Sequence, residues 1–173
     1  TFLGYMFAHP GKKLTFMGTE IPQFIEWDEK RELDWFLLDY PLHKKTHDYV
    51  RELNHFYQKT PAFWQQDGGW DGFEWHVVDD ADHNIFAFSR KAKNGQEILV
   101  ISNFSGVNWN QYWIGFNDER SYRLVLNSDE DKFGGQGNQV EQLETIEQRC
   151  GEFPYTLQID IPAFSTMYFE RIK

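Results

Sequence analysis

The spacing of apolar residues changes period once along this chain, and that change limits the folds open to it. Between residues 42 and 57, Leu42, Thr46, Tyr49, Val50, Leu53, Phe56 and Tyr57 recur every three or four positions. That spacing places them on one face of an amphipathic helix, which has to stop before Thr60-Pro61 because the residue preceding a proline disfavours the helical region. Beyond Gly68-Gly69 and Asp71-Gly72 the helical spacing gives way to short apolar runs separated by turn residues. Strands are expected at 74–78, 85–90, 97–103, 109–116, 122–127, 155–161 and 165–171. The run Tyr155-Thr156-Leu157-Gln158-Ile159-Asp160-Ile161 alternates strictly, as a strand with one buried face requires. Asn94-Gly95 lies between two apolar runs and predicts a hairpin with a type I′ turn. Short strands with such turns suit an antiparallel β-sandwich. The change of pattern divides the chain into residues 1–66 and 67–173.

The first of these parts reads differently. Residues 2–8 look like the end of a helix closed by His9-Pro10-Gly11, since Pro10 cannot continue the hydrogen-bond ladder and Gly11 tolerates a turn. Residues 13–17 are short, mostly apolar and flanked by Gly11 and Gly18, as a buried parallel strand would be, but the chain supplies no partner for such a strand. Residues 19–41 are polar and aromatic without sustained period and predict a functional loop with a helical turn near 33–38. Thr1 opens straight into an apolar segment with no capping lead-in, so the chain is expected to begin inside a larger protein.

Charge and cysteine usage exclude several classes of function. The formal net charge of −10 would repel nucleic-acid phosphates and anionic lipid, so neither nucleic acid nor membrane is an expected partner. No run approaches the roughly 18 apolar residues of a membrane span, and the start lacks the basic-then-apolar pattern of a secretory signal. The lone Cys150 has no internal partner, which makes a reducing, cytoplasmic setting the default. Aromatic residues reach 18%, above the average, and such rings fill a core or stack on the apolar faces of sugars; core packing accounts for most of them.

Specific motifs carry a resemblance. Gly4-Tyr5-Met6-Phe7-Ala8-His9-Pro10-Gly11-Lys12-Lys13-Leu14-Thr15-Phe16-Met17-Gly18-Thr19-Glu20 is followed by Glu26-Trp27, Leu33-Asp34-Trp35 and Tyr40-Pro41-Leu42-His43. Further on come Leu53-Asn54, Thr60-Pro61-Ala62, Gly72-Phe73-Glu74-Trp75, Asn103-Phe104-Ser105, Leu126-Asn127-Ser128-Asp129 and Phe133-Gly134-Gly135. These segments resemble the C-terminal part of bacterial glycogen branching enzymes of the α-amylase superfamily, over nearly the whole chain. The resemblance implies a mostly β fold: a C-terminal antiparallel β-sandwich preceded by the last β/α unit of an incomplete (β/α)8 barrel. It also implies a parent protein that cleaves α-1,4-glucan with retention and transfers the chain to a glucan 6-hydroxyl, using an aspartate nucleophile and a glutamate acid/base. In the family the catalytic carboxylates lie on earlier barrel strands, so no catalytic residue, metal ligand or cofactor is expected here, and the expected partners are α-glucan and the remainder of the catalytic barrel.

Within that frame Trp27 and Trp35 are candidates for stacking on glucose rings, and Glu20, Gln23 and Asp34 for hydrogen bonds to sugar hydroxyls. The plain alternative is that both tryptophans pack the loop onto the barrel. Glu20, Glu26, Asp28 and Asp34 fall at or beyond the C-terminal end of the expected barrel strand, where barrel sites are built, but as supporting groups rather than primary catalysts. Thr19 stands where the family has Asn. His43 and His47, one helical turn apart, lack a third ligand and read as solvated helix surface. Gly134-Gly135-Gln136-Gly137-Asn138 lacks the Lys-Ser/Thr of a phosphate loop and reads as a β-connection, while Asp79-Asp80-Ala81-Asp82 and Asp129-Glu130-Asp131 lack calcium-loop spacing. Two other readings remain: a glucan-binding β-module anchored by exposed Trp70 or Trp109, and another amylase-superfamily hydrolase or debranching enzyme.

Overall fold

A computed structural model describes residues 1–138, 140 and 142–172. Two α-helices, α1 (Phe2–Ala8) and α2 (Pro41–Lys59), precede eight strands: β1 (Phe73–Asp80), β2 (Ile85–Lys91), β3 (Glu97–Asn103), β4 (Trp109–Phe116), β5 (Ser121–Asn127), β6 (Gln142–Ile146), β7 (Tyr155–Ile161) and β8 (Thr166–Arg171). Single 3-10 turns punctuate the connections, among them Trp35–Asp39, Pro61–Phe63, Trp70–Gly72 and Asp131–Phe133. α2 starts on Pro41, whose fixed φ suits the first helical position, and ends one residue before Thr60-Pro61, as its spacing predicts.

The strands are hydrogen-bonded in the order β1-β2-β3-β8-β5-β6-β7-β4, and every neighbouring pair is antiparallel. The ladder turns back at β6, which pairs with β5 on one side and β7 on the other. Two apolar cores result. One lies inside the fold between β2, β3 and β8 and the opposing β4 and β7, and contains Ile85, Leu99, Ile101, Ile114, Leu157, Ile159 and Phe169. The other lies on the outer face of the same sheet, where Phe88, Ile98, Val100 and Tyr168 meet Phe7, Tyr49, Leu53 and Phe63 from the helical segment. Alternation along β3 sends Leu99 and Ile101 to the first core and Ile98 and Val100 to the second, so all seven residues of this strand are buried. β7 covers only one core: Leu157, Ile159 and Ile161 point inward while Gln158 and Asp160 are exposed.

Arg90 fastens the helical segment to the sheet. It sits on β2 with its side chain fully buried, and its guanidinium donates to the carbonyls of Ala8 at the end of α1 (2.5 Å), Phe63 (3.1 Å) and Gly72 (3.3 Å), and to the Asp67 carboxylate (2.7 Å). Tyr168 on β8 adds a bond from its hydroxyl to the Gly4 carbonyl inside α1 (2.5 Å). The bond to Ala8 satisfies a carbonyl in the last turn of α1 that has no partner within the helix, and the bond to Gly4 adds a second donor to a carbonyl inside it.

Three expectations from the sequence need correction. Residues 13–17 form no strand, and Leu14 and Phe16 are 76% and 53% exposed; an isolated strand has no neighbouring ladder to accept its hydrogen bonds, so the β half of the expected β/α unit stays irregular. The β2–β3 hairpin is not closed by a type I′ turn. Gly95 has φ +88° but Asn94 is not left-handed, and the Gly95 N–H reaches the Ala92 carbonyl (3.1 Å) inside a closing bond from Ala92 N–H to Gln96 O (2.8 Å). This is a three-residue loop, a type I turn followed by a left-handed glycine, and it asks positive φ of only one residue. Finally, β6 was not expected. It presents only Leu143 and Thr145 to the interior, too few inward positions to register as an alternating run.

Candidate functional site

The segment between α1 and α2 carries Glu20, Gln23, Trp27, Asp34 and Trp35, and its shape is set by tight turns and by anchors to α2. Gly18 takes φ +85°, and successive bonds from Thr19 N–H to Phe16 O and from Ile21 N–H to Gly18 O (both 3.0 Å) reverse the chain there. The Thr19 hydroxyl donates to the Phe16 carbonyl and accepts the Phe16 N–H (3.2 Å). Ile21 is fully buried, and its carbonyl accepts a bond from His43 Nδ1 on α2 (2.8 Å). His43 is thus a loop anchor as well as a surface residue, a role that its helical spacing with His47 did not suggest.

The five candidates fall into different settings. Gln23 bridges the loop internally: its amide donates to the Ile25 carbonyl (3.3 Å) and accepts the Asp34 N–H (3.5 Å), and its side chain fills the space beside Gly18, where a Cβ would come within 2.7 Å of its oxygen. Asp34 is brought next to it; its carbonyl accepts the Leu37 N–H (2.9 Å) that starts the 3-10 turn, and its carboxylate lies 3.8 Å from Arg31. Trp35 follows directly, 50% exposed, on the rim of an open depression of about 480 Å³ shared with Arg31, Asp34 and Phe36. Trp27, also 50% exposed, rests edge-on against Phe16 with ring centroids 5.3 Å apart. Glu20 is half-buried and makes no hydrogen bond to another described residue. The loop therefore joins Gln23, Asp34 and Trp35 in one patch, with Trp27 braced separately by Phe16.

Sequence reasoning missed the apolar half of this surface. Phe24, Phe36, Tyr40, Pro41 and Leu42 border an open hollow of about 590 Å³ that is almost wholly apolar, and Phe24 is 85% exposed with its ring edge on His43 (5.1 Å). Such a cluster of exposed rings is out of keeping with a surface made for water. The signal was present in the aromatic density of residues 24–40 but carries no period that would assign it to a core.

On the sandwich, Trp70 is 79% exposed, whereas Trp109 is half-buried and donates its indole N–H to the His83 carbonyl and the Ser105 hydroxyl (both 3.1 Å), which removes it as an exposed anchor. The one extensive buried ionic cluster surrounds Glu97, which accepts bonds from Arg120 (2.9 Å), Tyr122 (2.9 Å), Ser89 (3.0 Å) and Arg171 (3.2 Å) among the described residues. Burial pushes its carboxyl up, but Arg120 and the surrounding donors outweigh burial and hold it below the usual carboxylate range. Both carboxylate oxygens accept bonds and both arginines are paired, so the cluster stiffens the sheet edge rather than offering a reactive group.

Residues 75–172, more than half of the chain, match the family model described as "Alpha amylase, C-terminal all-beta domain". The chain belongs to that family. The alpha amylase C-terminal domain here is the eight-stranded sandwich, and the family match stops short of α1, the loop and α2. Those are covered by whole-chain likeness to curated proteins. The chain is 44% identical to a 1,4-alpha-glucan branching enzyme of Halothermothrix orenii over 100% of its own length and 28% of that protein. It is 44% identical to one of Desulfitobacterium hafniense over 94% of its length and 26% of that protein, and 40% identical to one of Photobacterium profundum over 97% and 24%. The chain thus spans about a quarter of the length of these relatives. Among solved structures, the catalytic module of the multi-modular glycogen-degrading pneumococcal virulence factor SpuA aligns over 80% of this chain and 20% of that one, with 17% identity and a TM-score of 0.44. Isomaltulose synthase of Klebsiella sp. LX3 aligns over 73% and 17%, with 12% identity and a TM-score of 0.41.

Proposed function

We propose that this chain is the C-terminal part of a 1,4-alpha-glucan branching enzyme, with residues 1–66 closing the catalytic barrel and residues 67–173 bracing it. The observation that carries this reading is the likeness to branching enzymes along the full chain, including the loop and helices that lie outside the sandwich family match. In this reading residues 13–17 become the last barrel strand once neighbouring strands supply a ladder, and the apolar hollow around Phe24, Phe36 and Tyr40 is covered by the barrel wall. The loop then faces the site from the C-terminal end of that strand, where barrel enzymes assemble their chemistry.

The reaction would run on carboxylates outside this chain: one attacks the anomeric carbon, a second protonates the departing oxygen and then deprotonates the incoming 6-hydroxyl. What these residues contribute is positioning. Trp27, propped by Phe16, offers a flat apolar face to a glucose ring. Trp35 and Asp34 present a ring and a carboxylate side by side, and Glu20 has a carboxylate with no hydrogen-bond partner among the described residues to compete with sugar hydroxyls. Gln23 supports the patch by cross-bracing it. The acting substrate is α-glucan, the setting cytoplasmic, and no cofactor is required. No described helix is long and apolar enough to cross a membrane.

The test is to incubate the longer protein, of which this chain is the end, with linear α-1,4-glucan and to count α-1,6 linkages by proton NMR. Their accumulation without net gain of reducing ends is the expected result. Release of reducing ends without new branches would replace transfer by hydrolysis and overturn the reading.

A further inference from the structure

The end of the sandwich where the β3–β4, β5–β6 and β7–β8 connections meet holds an open pocket of about 420 Å³, within the range usual for small-ligand sites. Its floor is fixed from within. Asp129, 6% exposed, accepts the N–H groups of Gln136 (3.0 Å) and Asn138 (3.3 Å), while its carbonyl accepts the Gly137 N–H (2.8 Å). A Cβ on Gly135 would lie 2.1 Å from the Asp129 carbonyl oxygen, so the backbone closes there too tightly for any side chain. The Asp129-Glu130-Asp131 run is therefore a loop organiser, with its first carboxylate turned inward.

The rim is less easily explained by folding. Phe164, in the short β7–β8 connection, has φ +48° and a ring 65% exposed. Its connection is pinned on both sides: Phe164 N–H donates to the Ser105 carbonyl (3.0 Å) and Ala163 N–H to Asn108 Oδ1 (2.7 Å). Left-handed backbone at such a turn is where glycine sits without strain. A bulky apolar residue there strains the backbone and leaves a ring in water, so neither local conformation nor core burial accounts for its presence. Gly106 faces the ring edge, where a Cβ would lie 3.4 Å from Cε2 and Cζ, and so leaves the ring uncrowded. Beside it, the Asn108 amide N–H groups and the Gln136 side chain have no partner among the described residues.

An apolar ring held next to free amide donors and acceptors is the chemistry that takes a sugar, with C–H groups on the ring and hydroxyls on the amides. We propose that Phe164, with Asn108 and Gln136, forms a second contact for an α-1,4-glucan chain on the sandwich, outside the loop of residues 19–41. The choice of α-glucan rests on the function proposed above. The place of the pocket fits it: Gly134 on its wall lies against Leu42 and Lys45 at the start of α2, where the loop ends, so a long glucan leaving the loop can run on to this face.

The test is electrophoresis of the 173-residue chain through native gels with and without glycogen, beside thermal melts. The unmodified chain should be retarded by glycogen. Phe164→Gly should raise the apparent dissociation constant roughly two- to tenfold while its melting temperature stays level or rises, because the substitution relieves the strained φ. Asn108→Ala should weaken retardation by a smaller factor. Unretarded migration of the unmodified chain, retardation unchanged in Phe164→Gly, or a melting temperature lowered by Phe164→Gly would each overturn the proposal, the last by making the ring a structural one. The two proposals fail separately: branch formation by the longer protein tests the catalytic reading, and Phe164-dependent retardation tests only the pocket.

Discussion

Single residues decide how the helical segment and the sandwich are joined, and Arg90 matters most among them. A guanidinium with no exposure, shared among three carbonyls and one carboxylate, takes a donor from four acceptors when it is removed, and the Asp67 carboxylate keeps only the Gly11 N–H among the described residues. Breaking a buried pair of this kind costs on the order of 3 kcal/mol. Arg90→Ala is accordingly expected to lower the denaturant midpoint strongly, whereas Asp67→Asn, at the partly exposed end of the pair, should cost about 1 kcal/mol. Equal small losses in urea titrations of the two variants would remove Arg90 from this role. The sequence hid it because an arginine in a strand reads as a solvent-facing residue, and its partners lie 18, 27 and 82 positions away. Trp27 is the opposite case: the sequence left open whether its ring stacks on sugar or packs the loop, and the ring is half exposed. A stacking contact is worth about 0.5–1.5 kcal/mol, so Trp27→Ala in the longer protein should raise KM for linear glucan roughly two- to tenfold with little change in kcat. A fall in kcat at constant KM would place Trp27 in catalysis or folding instead.

At the level of elements, legibility followed how many faces each element buries. β7, covered on one face, shows its alternation openly; β3, buried on both, appears as a continuous apolar run that still marks a strand. Residues 13–17 have the same composition as a buried strand yet form none, because composition records the burial that a segment is suited to and not whether neighbours are there to provide it. β1 adds a consequence for pH. His76 on this strand bonds Ser89 (2.8 Å) and lies over the Phe116 ring (4.5 Å). Burial pushes its imidazole down to about 4; Glu74 and Glu97 pull it up, and Arg120 and Lys91 push it further down. The folded state thus resists protonation that the unfolded chain accepts near its ordinary value of 6.5. The stability held by neutral His76 is complete above pH 6.5 and is lost as pH falls toward 4, with a slope of at most ~1.4 kcal/mol per pH unit. Chemical denaturation at pH 7.5, 6 and 5 should show this decline, and His76→Gln should flatten it; an unchanged slope in the variant would assign the loss to other groups.

In the whole molecule, the helical segment has two surfaces with different fates. One face of α1 and α2 is sunk into the sheet and shares its core with Phe88, Val100 and Tyr168, so residues 1–66 and the sandwich hold together although the periodicity of the sequence divides them. The other surface, from Leu14 through Phe24 and Phe36 to Leu42, is exposed and apolar. The change of period in the sequence suggests a division, and it gives no sign of the shared core, since contacts between distant segments leave no local pattern. If this surface closes a barrel in the longer protein, its burial must change when the preceding chain is present. Hydroxyl-radical footprinting of the 173-residue chain and of the longer protein compares Leu14, Phe16, Phe24 and Phe36 directly, with Trp70 as an internal reference. Strong labelling of all four in the short chain, at least tenfold protection in the longer protein, and equal labelling of Trp70 in both are expected. Equal labelling of the four residues in the two proteins would contradict this closure.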